Sequence, residues 1–381
     1  MKICLSADSY PTPDYPFSAF ISSLAEKFTE KGHQVCVIAP QSITAAFVHR
    51  TPLLPYHTSH TVAGGVVEVY RPKCLTFGNR PITLTLTARA FRKCFRCMGR
   101  RKFDIVYAHM WASGYRAMSC AEAENIPLFV ASGEDVIDVT EYISEAETAR
   151  LREAVRGVIC VSRKNERESI RLGLADAGKC IMLPNGVDSR RFVHIPKHDA
   201  RRRLGFSDED FIVAFVGRFN NRKGAKRVAE ALSLLDDRSI KSVFIGSTTR
   251  DEDSSEEPKC DGILFKGLLE HDEVALYLSA SDVYVLPTLA EGCSNSIVEA
   301  LSCGLPVISS DRDFNYDILD ESCSILTDPL DTAAIASAIR TLREDAVRLS
   351  EMSVNALAKA KELDYDTRIE RILEFIRSRI S

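Results

Sequence analysis

The sequence predicts an α/β protein made of two doubly wound, parallel-sheet domains in succession. Three observations carry that expectation. Short apolar stretches with β-branched residues recur along the 381 residues, and they are too short to be helices. Longer amphipathic stretches fall between them, as the crossovers of a parallel sheet require. A polar, charged segment at residues 196–210 interrupts the pattern, which then restarts. At about 100–200 residues per domain, the length also fits two.

In the first half, strands are expected at residues 2–6, 34–39, 66–70, 104–108, 127–131, 157–161 and 180–183. Helices are expected at 17–31, 83–99, 112–124 and 163–172. In the first of these helices Phe17, Phe20, Ile21, Leu24, Ala25 and Phe28 keep helical spacing, and Gly32 is a natural stop. The second half gives strands at 211–216, 242–246, 262–266, 283–287, 306–309 and 324–327. Its helices are expected at 225–236, 272–279, 294–303, 331–343 and 345–362, with a last helix at 366–379. The expected division is 1–190 for the first domain and 191–362 for the second, with 363–381 as a carboxyl-terminal segment. Residues 250–258 (RDEDSSEEP) read as an acidic loop with no visible chemistry.

Composition narrows the function. Hydrophobic residues make up 45% and charged residues 27%, which excludes a fibrous or largely disordered chain. A net charge of −4 gives no bulk attraction to nucleic acid. No apolar run reaches the roughly 18 residues of a membrane span. The opening MKICLSADSYPTP is too short for a signal-peptide core and reads as a first strand. The 12 cysteines sit mostly singly inside apolar stretches, the pattern of reduced, buried thiols in a cytoplasmic protein. Cys94 and Cys97 form a CxxC pair, but no second pair or His-x-x-x-His completes a metal site.

Two loops carry candidate chemistry. After the strand at 283–287 comes Glu291-Gly292-Cys293-Ser294-Asn295-Ser296, followed by a helix containing Glu299. Loops at the carboxyl ends of parallel strands are where doubly wound folds bind ligands. Gly292 permits close approach of backbone to a ligand, and free N–H groups near Asn295 and Ser296 favour a phosphate. A second reading stands beside this one: Ser296 and Glu299 fit a capping box, in which Glu299 serves only its own helix. The other loop, Gly217-Arg218-Phe219-Asn220-Asn221-Arg222-Lys223-Gly224, follows the first strand of the second half. Arg218 and Lys223 there are suited to clamp a pyrophosphate, Arg by its fork and Lys as a point charge. It is neither a Walker A loop nor GxGxxG. Pro184-Asn185-Gly186 reads as a tight turn at the end of the first half, where a hinge could begin.

The succession PNGVD, VGRFNNRKG and DVYVLPTLAEGCSNSIVEALSCGLPVI resembles the retaining glycosyltransferases of family 4, which have the GT-B fold. Glu291 and Glu299 stand in that family's E-x7-E spacing. The resemblance implies a donor that is a UDP- or GDP-sugar, with no cofactor and no obligatory metal. It places the diphosphate on Arg218 and Lys223, the ribose on Glu299 and the transferred sugar near Glu291. The backbone from Gly217 and from Gly292, Cys293, Ser294, Asn295 and Ser296 would line the same site, with Leu269 in the base-contacting loop. The first domain would hold the acceptor, a saccharide or lipid-linked saccharide of surface polysaccharide synthesis, and the last helix would cross back to that domain. A nucleotide-sugar epimerase on the same fold and a catalytically silent nucleotide-binding subunit are the alternatives.

The sequence departs from the family pattern in three places. Ser18 and Ala19 replace a glycine pair near the first helix, Ser132-Gly133-Glu134-Asp135 replaces a motif with His, and Gly246-Ser247-Thr248 replaces Gly-Asp-Gly. Glu134 or Asp135 is available to stand in for the missing His. His109, before the single tryptophan Trp111, either faces the acceptor or is a hydrogen-bonded strand-end residue. Arg89, Arg92, Lys93, Arg96, Arg100, Arg101 and Lys102 are interleaved with Phe91, Phe95 and Met98. That stretch is either a weak contact to the inner face of an anionic membrane or a surface helix packed on its own domain.

Overall fold

The computed structural model describes residues 1–12, 19–78, 81–98, 102–248 and 254–380. Expectations placed on Ser18, the side chain of Ala19, Arg100, Arg101 and residues 250–253 lie outside the described residues. The chain divides into two compact units, Met1–Leu183 with Ile369–Ser381, and Pro184–Arg368.

The first unit contains strands β1 (Lys2–Ser6), β2 (Gln34–Ile38), β3 (Gln41–Ser42), β4 (His57–Val62), β5 (Gly65–Tyr70), β6 (Lys73–Cys74), β7 (Ile105–His109), β8 (Leu128–Ser132), β9 (Val155–Cys160) and β10 (Cys180–Met182). Its helices are α1 (Ala19–Glu30), α2 (Ile43–His49), α3 (Pro81–Cys97), α4 (Trp111–Ala123), α5 (Glu145–Ala154) and α6 (Arg163–Arg171). The main sheet runs β10-β9-β8-β7-β1-β2-β5-β4. All its neighbours are parallel except β4, which folds back antiparallel on β5 at the edge. Near the centre of the sheet Ile3, Cys4, Leu5, Val106 and Tyr107 have no exposed surface, as strands covered on both faces demand.

The second unit repeats the design with β11 (Phe211–Val216), β12 (Ile240–Ile245), β13 (Ile263–Gly267), β14 (Val283–Leu286), β15 (Val307–Ser310) and β16 (Ser324–Thr327). Its helices are α7 (Lys197–Leu204), α8 (Ala225–Leu235), α9 (His271–Ala280), α10 (Asn295–Ser302), α11 (Thr332–Glu344) and α12 (Ala346–Glu362). The sheet is parallel in the order β13-β12-β11-β14-β15-β16. The chain builds outward from β11 in one direction and then restarts beside it at β14, so the strand order reverses between those two. A last helix, α13 (Tyr365–Ile380), follows. From Ile369 onward it belongs to the first unit, where Phe375 meets Phe129 edge-on at 6.4 Å.

Several expectations are corrected. The separator at 196–210 contains α7, a helix with little apolar character in its sequence. It is held through Arg201, which is buried and pairs with Asp282 at 2.7 Å while bonding the Ala280 and Asp208 carbonyls. Asp282 also takes Lys197 at 2.6 Å and the Ile212 amide at 2.6 Å. Helix α5 lacks an apolar stripe and buries only Leu151; a capping box between Ser144 and Glu147 fixes its start. The Asn185-Gly186 pair is not a turn. Gly186 is needed because a Cβ there would lie 2.8 Å from the Tyr365 Cα. This segment joins the second unit through a bridge between Val187 and Asp364, so the division falls at Leu183 rather than at 190. Helix α3 buries Phe91 and Phe95, and Met98 just beyond its end, in the first unit's core, leaving Arg89, Lys93 and Arg96 outside. Cys94 is buried and accepts a bond from the Tyr56 hydroxyl at 3.3 Å, whereas Cys97 is exposed, so the CxxC thiols serve different surroundings.

Glu134 does not stand free in place of the expected His. Its carboxylate accepts from the Trp111 amide at 2.7 Å, the Ser132 hydroxyl at 2.9 Å and its neighbour's Gly133 amide at 2.9 Å. It therefore supplies the cap that Met110, the residue before α4, cannot. Burial pushes its pKa up, and these bonds to the charged form oppose that push. His109 ends β7 with its ring 4.6 Å from that of Phe20. All three groups on Glu134 are donors, so Glu134→Gln turns part of an acceptor-only group into a donor facing a donor. We expect it to cost about 1–3 kcal/mol of stability, read as a lowered midpoint in thermal unfolding; an unchanged midpoint would show that the cap contributes nothing.

Candidate active site

In an open α/β sheet the ligand crevice lies where strand order reverses, beyond the carboxyl ends of the strands. In the second unit that point is between β11 and β14, and the two candidate loops leave the sheet there side by side. They are tied together. The Leu289 amide donates to the Arg222 carbonyl at 2.8 Å, and Arg227 reaches from α8 to the Pro287 carbonyl at 2.8 Å and to Asn221 at 2.8 Å. Gly224 caps α8 with φ 81, and a Cβ there would press on the Arg227 guanidinium and the Pro287 carbonyl.

At the junction Lys223 Nζ and Glu291 Oε1 are 2.5 Å apart. Glu291 is 5% exposed and also accepts from the Thr288 hydroxyl at 2.8 Å, while Arg222 stands 3.4 Å away and bonds the Ala290 carbonyl. Arg222 and Thr288 carry no motif of their own in the sequence. Their signal was position alone, one residue before Lys223 and three before Glu291. Arg218 is exposed in the same loop, one residue past Gly217.

One of the two readings of Glu299 is excluded. The residue preceding α10 is Ser294, not Ser296, so no Ser296–Glu299 capping box forms. The Glu299 carboxylate instead lies 3.2 Å from His271 Nε2 at the start of α9. Leu269, half-buried, is two residues before His271 in the loop after β13. Ser294 makes no side-chain cap, so the first amides of α10 stay open to an anion. Gly292 and Cys293 are buried beneath, Ser296 takes the Tyr284 hydroxyl at 2.8 Å, and Asn295 is exposed. Burial pushes the Cys293 thiol up to about 12, which makes it a neutral packing group, and its carbonyl accepts from Asn185 at 2.9 Å. The structure thus brings together Lys223, Glu291 and the start of α10, and separately Glu299 with the loop carrying Leu269.

Beyond β12, Gly246 takes the place of the family's Gly-Asp-Gly. Its amide donates to Gly267 at 2.8 Å, and at φ 149 it lies so close to Gly217 that a Cβ would strike the Gly217 carbonyl oxygen. Among the described residues no group of three His, Cys, Asp or Glu could hold a metal ion, and no helix is long and apolar enough to cross a membrane.

Two α/β units in succession, the second with a ligand crevice at its reversal point, are the parts of the GT-B fold. A family model described as Glycosyltransferase Family 4 matches residues 18–191, and one described as Glycosyl transferases group 1 matches 210–345. The chain is a glycosyltransferase, with a Glycosyltransferase Family 4 domain followed by a group 1 domain. It is 27% identical over 366 residues to TuaC of Bacillus subtilis, assigned as a glycosyltransferase of teichuronic acid biosynthesis, covering 93% of this chain and 92% of that one. It is 28% identical over 303 residues to an Escherichia coli galactosyltransferase that uses UDP-Gal and α-D-GlcNAc-diphosphoundecaprenol, covering 74% and 76%. Among solved structures, sucrose-phosphate synthase from Thermosynechococcus elongatus superposes with TM-score 0.79 at 20% identity over 99% of this chain and 98% of that one. HepE from Anabaena, in complex with UDP, gives TM-score 0.75 at 19% identity over 99% and 100%, which establishes the shared fold.

Gly246→Ala tests the tightness of the crevice. Backbone meets the added carbon, so we expect about 3 kcal/mol of destabilisation, the upper end of ordinary overpacking costs. Thermal unfolding of the variant at an unaltered midpoint would show that the loops after β11 and β12 can part freely.

Proposed function

We propose that this enzyme transfers a sugar, with retention of anomeric configuration, from a nucleotide-diphosphate sugar to a saccharide or lipid-linked saccharide used in surface polysaccharide synthesis. The observation that carries this reading is the Lys223–Glu291 pair at the strand-order reversal, beside the open start of α10. An ion pair in that position keeps both groups ordered before substrate arrives. A diphosphate there offers Lys223 a stronger partner, with Arg218 close in sequence and the α10 amides adding donors. Glu291 then lies where positive charge develops on the sugar carbon. Glu299 and the Leu269 loop, joined through His271, suit the ribose and the base in that order.

The chemistry follows from where charge appears. The bond between the sugar carbon and the phosphate oxygen breaks, leaving negative charge on the diphosphate. The acceptor oxygen bonds to that carbon from the same face, and its proton passes to the departing phosphate oxygen. Arg218 and Lys223 stabilise the first charge and Glu291 the positive carbon, so no protein base and no obligatory metal are required. The relatives that act in teichuronic acid synthesis and on a diphosphoundecaprenol-linked sugar support the acceptor class. Any contact with a membrane face at the cytoplasmic side would be electrostatic, through Arg89, Lys93 and Arg96, because the apolar side of α3 is already used.

Thermal stabilisation by UDP-, GDP- and ADP-sugars will identify the donor: a ligand at 100 times its dissociation constant adds about 2.7 kcal/mol. With that donor, wild type is expected to release nucleotide in the presence of acceptor. Glu291→Ala should be slower by about 10²–10³, while Glu299→Ala should weaken donor binding first. Tight nucleotide binding by wild type with no turnover against any acceptor would make the chain a silent binding subunit instead.

A further inference from the structure

The first unit has a reversal point of its own. Its strand order turns between β1 and β7, and a cavity of about 530 Å³ opens there among the loops that follow β1, β2 and β5 and the side of α4. Two arginines in its lining are almost wholly buried, Arg71 at 4% and Arg116 at 6% exposure. Arg116 pairs with Asp8 and bonds the Ala7 carbonyl and the Ser113 hydroxyl, each at 3.3 Å. Among the described residues the Arg71 guanidinium bonds only the Thr58 hydroxyl, at 2.7 Å, and its central carbon stands 5.8 Å from the centre of the Tyr10 ring. Among the described residues no carboxylate pairs with Arg71, and the Nε groups of both arginines are buried without a hydrogen-bond partner.

This arrangement is costly for a purely structural part. Burying a cation without an opposite charge costs several kcal/mol, and an apolar side chain of similar volume would fill the space more cheaply. The acids in the lining, Asp8 and Asp138, do not offset it: Asp8 is mostly exposed and already committed to Arg116, and Asp138 is half-exposed. Burial lowers the pKa of both arginines, that of Arg116 to about 10, so both remain charged at neutral pH. A guanidinium with a spare donor at a cavity wall is suited to an oxyanion.

We propose that this cavity is a phosphate-type oxyanion site, with Arg71 as the residue that grips the anion and Arg116, on α4, as its partner. Assigning that anion to the acceptor rests on the transferase reading above; the binding itself does not. The anion can belong to a soluble phosphate or to a lipid phosphate. The rim bears on the second source, since Ser42 and Leu54 line the cavity and Ser42 caps α2, a helix with no buried residue and with Phe47 and Val48 exposed.

The test is calorimetric titration of the full chain with inorganic pyrophosphate and with farnesyl diphosphate. Saturating UDP occupies the second unit's site, and an Arg218→Ala/Lys223→Ala variant repeats the titration with that site disabled. We expect pyrophosphate to bind both proteins, and Arg71→Met to lose about 30-fold or more in affinity while its thermal midpoint holds or rises. Farnesyl diphosphate binding tighter than pyrophosphate assigns the anion to a lipid; equal affinities assign it to a soluble phosphate. Pyrophosphate binding that survives Arg71→Met, or that vanishes in Arg218→Ala/Lys223→Ala, overturns the proposal, as does a lowered midpoint with unchanged affinity. Should Arg71→Met not fold, Arg71→Lys keeps the charge without the fork, and equal pyrophosphate affinity in that variant is equally fatal. Failure of UDP to bind would count against the donor site alone.

Discussion

The crevice of the second unit is organised around one contact, the ion pair between Lys223 and Glu291. It links two loops that come from strands far apart in sequence and adjacent in the sheet. A buried carboxylate needs a compensating partner, and a lysine tethered by four methylenes needs something to hold it still. Each group supplies what the other lacks. The cost of burying Glu291 is shared with Thr288 and Arg222, which leaves Lys223 free to change partners without stranding the acid.

The two units solve the same topological problem with different electrostatics. Both reverse strand order near the middle of a parallel sheet and so create a crevice. In the second unit an acid and a base neutralise each other at the crevice floor. In the first, two arginines are buried and, among the described residues, only one has an acidic partner. That difference leaves a neutralised pair at one crevice and surplus positive charge at the other.

The alternation of short apolar strands and amphipathic helices was legible because parallel sheets leave near-continuous β-branched runs such as FIVAFV in β11. Elements without that signature were not. Strand β4, HTSHTV, is an edge strand whose residues alternate between half-buried and exposed. Helices α5 and α7 are held by a capping box and by the Arg201–Asp282 pair rather than by an apolar face. In the candidate site, Lys223 stood out by its place in the loop after β11, and Glu291 and Glu299 through the resemblance that their spacing carries. The partners that fix their geometry did not, because Thr288, Arg222 and His271 meet them only through the register of β11 against β14 and the placement of α9. Glu134 shows the opposite limit: a carboxylate in a functional-looking position was claimed by the helix beside it.

The chain leaves the first unit at Leu183 and returns to it at Ile369. Where Val187 bridges Asp364, the outgoing and incoming segments of the second unit lie side by side, so that unit is an insertion with both ends at one place. During synthesis, every residue of the insertion leaves the ribosome before the helix that carries Phe375 against Phe129. The half of the molecule that begins first therefore completes its packing after the other, and until residues 369–380 emerge Phe129 lacks the ring that packs against it.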